Sequence, residues 1–231
     1  MTRLTNICIY ITILTVSLLS LTPLDAHAQS KKRIKIETTD SVPFFNGLSA
    51  SVDLVGIVQK AVSDYGQYEA ALRVNLRDRY FPIVEIGKGI ALHDYDPVTG
   101  IKYETSALYG KIGLDFNVMR NKHDIYRLYI GGRYAYTSFD YDLVGPDIKD
   151  PVWGGEAHWG GSKSPCKYHW AEAVVGVDAK IYGPFHLGWS VRYKARVSHK
   201  DGEIGKPWYV PGYGISGTSQ LGVTFNAIFE I

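Results

Sequence analysis

Ser198, His199 and Glu203 place a serine, a histidine and an acid close together, the side-chain types of an ester-hydrolysing triad. At the rim of a membrane barrel such a set could act on acyl esters of lipid A. The spacing argues against it. Ser198 and His199 are adjacent, so in a strand they point to opposite faces, and the order His-x-Ser that would align them is absent. The expected role is the start of a loop, with a lipid A-modifying hydrolase as the alternative reading. Cys166-Lys167-Tyr168-His169, with His158 nearby, has a conceivable metal spacing but no evident fourth ligand. Gly110 and Gly113 fall in a strand pattern rather than before a helix, so they form no phosphate loop. No cofactor or metal is expected.

A larger set of ionisable residues recurs at alternate positions of apolar stretches. In residues 185–198, Phe185, Leu187, Trp189, Val191, Tyr193 and Val197 oppose His186, Ser190, Arg192, Lys194 and Arg196. Residues 218–231 put Leu221, Val223, Phe225, Ala227 and Phe229 against Gln220, Thr224, Asn226 and Glu230. A period of two marks strands with one apolar and one polar face. The same pattern covers residues 48–58, 67–77, 81–93, 103–119, 125–140 and 168–181, giving eight strands in all. Most reach ten residues, longer than the ~5–6 usual in soluble sheets and matching the ~9–11 that a tilted strand needs to cross a bilayer.

The charges decide which face points where. The polar faces collect Asp53, Glu69, Glu85, Asp115, Glu172, Asp178 and Glu230 with Arg73, Lys111, Arg127, Arg133, Arg192 and Lys194. An eight-stranded membrane barrel turns its apolar face to lipid, and its lumen is just wide enough to be filled by side chains. These acids and bases are then expected to pair as an interior plug, which offsets the cost of burying them. Arg192 is expected to meet Asp178 or Glu230 on a flanking strand. Lys88 resists: it falls on the lipid face, unless Gly87 and Gly89 host a bulge that re-aims it.

The connections support this topology. Short turns near residues 78–80, 120–124 and 182–184 alternate with longer stretches at 94–102, 141–167 and 199–217. An even strand count puts both termini on the periplasmic side. The last loop carries Trp208, Tyr209 and Tyr213 between stiffening prolines. Its aromatics either fold over the mouth as a lid, the favoured arrangement, or offer a contact surface.

Address follows from the first residues. Arg3, an apolar run over 7–21 and Ala26-His27-Ala28 predict a signal peptide over 1–28, cleaved before Gln29. Residues 29–46 read as a periplasmic arm and 47–231 as the barrel. Cys166 is then the lone cysteine, so no internal disulfide is expected. A net charge of +2 gives no basic excess for nucleic acid. The expected partners are outer-membrane lipid and lipopolysaccharide, with an extracellular or membrane protein as a further candidate.

Three stretches carry a family likeness: Pro43-Phe44-Phe45-Asn46-Gly47 leading to Val52-Asp53-Leu54-Val55-Gly56; Tyr65-Gly66-Gln67-Tyr68-Glu69-Ala70-Ala71-Leu72; and Gly205-Lys206-Pro207-Trp208-Tyr209-Val210-Pro211-Gly212-Tyr213-Gly214. They resemble an uncharacterised, domain-of-unknown-function family of small outer-membrane barrels from Bacteroidetes. The resemblance implies the eight-stranded antiparallel up-and-down fold and the Gram-negative outer membrane. It implies no activity.

Overall fold

Alternating faces need two different surroundings, and a closed ring of strands supplies them without leaving an edge. The computed structural model describes residues 43–231 apart from 95–98, 123, 150–153 and 158. Its barrel strands are β1 Phe45–Asp53, β2 Tyr65–Leu76, β3 Tyr80–His93, β4 Lys102–Asn117, β5 Tyr126–Val144, β6 Gly160–Tyr182, β7 Phe185–Lys200 and β8 Ser219–Glu230. They form a closed antiparallel up-and-down barrel in which β8 returns to β1. Following the pairing forward from Leu72 through Val84, Ile112, Tyr134, Ala171 and Ala195 reaches Ser219 of β8. Following it the other way through Ala50 reaches Phe229 of the same strand, ten residues on. That stagger tilts the strands and closes the ring.

The faces are inverted relative to a soluble barrel. Trp189 and Val191 are 56% and 53% exposed, while Ser190 and Arg192 between and beside them are 2% and 3% exposed. The same reversal puts Ile86, Leu108, Ile112, Val175 and Leu221 outside and Glu85, Lys111, Asp115, Glu172 and Asp178 inside. Exposed aromatics gather near the short-turn end, at Tyr80, Phe116, Tyr126, Phe185 and Phe229. Tyr68, Tyr134, Tyr136 and Tyr193 form a second level nearer the loops. Two such girdles around an apolar band are the outer signature of a barrel that sits in lipid.

Lys88 is outward, and no bulge turns it. The register runs unbroken through Tyr68↔Lys88 and Lys88↔Leu108. Its level is that of Tyr68, well up β3 from the short turn at Tyr80. There the long stem can lie along apolar surface and lift the ammonium toward the interface, which avoids the cost of a midplane charge.

The turn from β2 to β3 shows how the short end is built without glycine. Arg77 and Asp78 take φ of 55° and 54°, and Arg79 N donates to Leu76 O at 3.1 Å. Two central residues with positive φ give the turn whose twist matches a hairpin. Asp78 N donates to Asn75 Oδ1, and Asp78 Oδ1 accepts from the amides of Asn75 and Asn46. These bonds offset the strain of the left-handed backbone.

The first strand departs from the sequence expectation. It starts at Phe45, two residues before Gly47, and stops at Asp53; residues 54–58 are not strand but the start of helix α1, Leu54–Val62. Asp53 is an N-cap and not a member of the ion-pair plug. Its carboxylate accepts from Val55 N at 3.1 Å and Gly56 N at 3.2 Å. It also accepts from Phe225 N at 3.3 Å, a β8 donor at the point where β1 leaves off. A capping carboxylate satisfies helix N–H groups that would otherwise be orphaned. Leu54 and Val58 fit a helix as well as a strand, since they lie four apart. Ile57, Val58 and Val62 face outward, so α1 fills the upper wall where β1 would have continued.

Inward glycines make room for the large interior groups. Gly87, Gly113, Gly131, Gly176 and Gly188 lie directly across from Tyr109, Arg133, Asp115, Tyr129 and Asp178. A Cβ at any of these five would collide with the facing side chain. Gly131→Val is therefore expected to push Asp115 off its arginine partners and to cost about 1–3 kcal/mol. Gly110 has nothing within 4 Å of its Cβ position. Gly110→Val should leave the urea midpoint of the reconstituted protein nearly unchanged, while Gly131→Val lowers it.

Candidate functional site

The lower and middle lumen is a network of ion pairs. Arg192 Nη1 lies 2.8 Å from Glu69, 3.0 Å from Glu85 and 3.7 Å from Glu172. Lys111 Nζ lies 2.8 Å from Glu69, 3.1 Å from Glu172 and 3.5 Å from Glu85. Arg133 bridges Glu85 at 2.8 Å and Asp115 at 3.2 Å. Arg73 bridges Asp178 at 2.6 Å and Asp115 at 3.4 Å, and its guanidinium stacks 4.7 Å from the Tyr129 ring centre. Nearly every member is buried. Arg192 donates to Glu69 and to both oxygens of Glu85, and Arg73 to Asp178, which supplies hydrogen bonds without which a buried ion would be costly. At the short-turn end Glu230 forms a separate cluster, 2.8 Å from Arg127 and 3.0 Å from His186.

Two expectations fail here. Arg192 meets neither Asp178 nor Glu230. Its two closest carboxylates, Glu69 and Glu85, come from β2 and β3 on the other side of the lumen, because a long side chain in a narrow barrel reaches across; only the more distant Glu172, at 3.7 Å, is on a flanking strand. Asp178 is held by Arg73 and Glu230 by Arg127. Lys194 is buried but forms no ion pair within 4 Å among the described residues; its Nζ donates to Gly212 O at 2.7 Å and Tyr213 O at 3.0 Å.

Those two carbonyls belong to the last loop, which is folded down into the mouth. Tyr209–Val210 pairs with Gly214–Ile215 as a small hairpin. Tyr209, Val210 and Tyr213 are 2%, 0% and 1% exposed, so Tyr209 and Tyr213 are not a contact surface. They pack in an aromatic upper lumen with Tyr103, Tyr109, Phe139, Tyr141, Tyr168 and Trp170. Tyr103 Oη donates to Tyr209 O at 2.8 Å, and Tyr209 Oη donates to Gly66 O at 3.2 Å. Burial pushes the Tyr209 and Tyr213 hydroxyls up, so both remain protonated donors at neutral pH. Trp208 keeps 38% exposure and sits edge-on to Tyr65 and Tyr103 at the rim. The upper aromatics were readable by parity: Tyr168 and Trp170 share the phase of Glu172, and Phe139 and Tyr141 that of Arg133.

The constellations read as possible chemistry are dispersed. Ser198 pairs across from His169, and His199 from Tyr168, so the two point to opposite faces. His199 Nε2 lies 3.5 Å from Asp201, and Glu203 is exposed in the loop. Cys166 is buried inside, whereas His169 bonds Tyr134 Oη at 2.9 Å on the outer face. His158 lies outside the described residues, as do the proposed signal peptide and most of the arm. Among the described residues no group of three or more His, Cys, Asp or Glu side chains is arranged to hold a metal.

Fold and lumen together define a closed, inverted eight-stranded barrel with a salt-bridged interior. The sequence matches the family described as Domain of unknown function (DUF6048) over residues 7–230, and the chain belongs to that family. No curated protein matches it. Among solved structures it is similar to a major outer membrane protein from Thermus thermophilus, at 12% identity and a TM-score of 0.41, covering 80% of this chain and 100% of that one.

Proposed function

We propose that the protein is an integral outer-membrane barrel of a Gram-negative cell, with a structural or surface-contact role and no open pore. The observation that carries this reading is the inversion of faces along β7: exposed Trp189 and Val191, buried Ser190 and Arg192. An apolar exterior of this extent needs lipid. In this reading residues 1–28 are the export signal, both termini face the periplasm, and the long loops face outward beside lipopolysaccharide. The Bacteroidetes-type likeness fits such an envelope. The ion pairs and the folded-in loop support a filled lumen, and the role is non-enzymatic. Cell fractionation tests the placement: recovery in the outer membrane, with a folded form that migrates faster before heating, is expected. Recovery in the soluble periplasm overturns it. Lipid A mass, measured with and without the protein, should be identical; an acyl-chain difference abolished by Ser198→Ala would establish the hydrolase instead.

A further inference from the structure

The barrel wall has one seam that is not hydrogen-bonded strand to strand. β1 is bonded to the C-terminal stretch from Leu48 and Ile231, whose backbones exchange hydrogen bonds, up to Asp53↔Asn226 of β8 and no further. Above that level β8 faces helix α1. An unpaired strand edge at membrane depth is tolerated where protein covers it or where it lines a cavity. Behind α1 there is a cavity of about 230 Å³, lined by Val55 and Gln59 of the helix, Tyr65 and Gln67 of β2, Gln220 to Thr224 of β8, Arg192 and Lys194 of β7, and the loop tyrosines.

We propose that this cavity binds the carboxylate head of a fatty acid, which enters sideways from the outer half of the membrane past α1. Lys194 is the anchor. An ammonium has three donors; two go to Gly212 O and Tyr213 O, which leaves one for a ligand. Gln67 and Gln220 line the same cavity, and Arg192 lies in its wall with its guanidinium held by Glu69 and Glu85, so Lys194 is the cation with a donor to spare. The volume is below the roughly 300–1,000 Å³ of sites that enclose a drug-sized molecule. It takes a head and the first methylenes. The remaining chain lies outside along the apolar surface of Leu221, Val223 and Val58, which are exposed. That division of polar cavity and apolar exterior selects a single-chain anion over a soluble one.

Lateral entry rests on the membrane placement proposed above, which fractionation tests separately. The binding test uses the full barrel in neutral phosphatidylcholine vesicles with spin-labelled dodecanoate as the probe. Saturable binding of one dodecanoate per barrel is expected, with dodecanol unable to compete. Lys194→Met should weaken it at least tenfold. Since that change also frees the loop, Gly222→Leu provides a second arm. A Cβ at Gly222 comes no nearer than 3.4 Å to any atom, with Lys194 Cε nearest and Lys194 Nζ next at 3.9 Å, so a larger side chain starts without a clash and projects into the cavity beside the anchor. It should abolish saturable binding in a barrel that keeps its heat-shifted migration. Non-saturable uptake by the wild type, or binding by folded Gly222→Leu equal to the wild type, overturns the proposal; equal binding of dodecyltrimethylammonium does so as well.

Discussion

Arg192→Leu is expected to lower the unfolding free energy of the reconstituted barrel by about 3–5 kcal/mol, the cost of breaking a buried pair from one side. Arg192 is the shared partner of Glu69 and Glu85, and it also approaches Glu172. Leucine fills some of the volume but leaves those carboxylates with Lys111 and Arg133 as their cations, beside the neutral donors Tyr109 Oη on Glu69 and Trp170 Nε1 on Glu172. Urea titration in lipid vesicles measures the effect. A second substitution, Glu69→Gln, should recover a fraction of the loss by removing one stranded charge. A midpoint unaffected by Arg192→Leu would mean that the interior pairs add nothing to stability.

The second large effect is on insertion. Val191→Arg places a charge on the outer face of β7, across from Val223 of β8 and Val175 of β6. A midplane arginine on the lipid face costs roughly 2–4 kcal/mol. Ser190→Arg points inward, where Thr224 accepts or donates a 2.6 Å bond to Ser190. It meets crowding rather than lipid. Folding yield into vesicles should therefore fall much further for Val191→Arg than for Ser190→Arg. Equal yields would count against the assigned depth of residue 191.

The facing of the strands was legible because a period of two survives any uncertainty in strand ends. Trp189, Ser190, Val191 and Arg192 sit as the alternation alone requires. Partners were less legible. For Arg192 sequence order suggests partners on flanking strands, since neighbours in a sheet are the obvious pairs; its closest partners, Glu69 and Glu85, lie across the lumen, a distance that only closure and stagger fix. Helix α1 was hidden because Leu54 and Val58 satisfy both periods. The signal was Asp53, whose position before an apolar run suits a cap as well as an inward charge. Gly87 and Gly89 read as bulge formers. In the fold Gly87 is room for the Tyr109 ring and Gly89 room for Pro211 of the loop, so Lys88 stays outward. Nothing in local sequence says which distant side chain will fill the space over a glycine.

Membrane placement depends on which face of the barrel meets lipid, and residues 190 and 191 separate the two possibilities within one peptide unit. A fluorophore attached at each position in turn, with Cys166 replaced by serine, can be exposed to a quencher dissolved in the acyl chains. The inverted barrel predicts strong quenching at 191 and little at 190. Quenching at 190 with 191 spared would contradict it, and the membrane reading would fall with it.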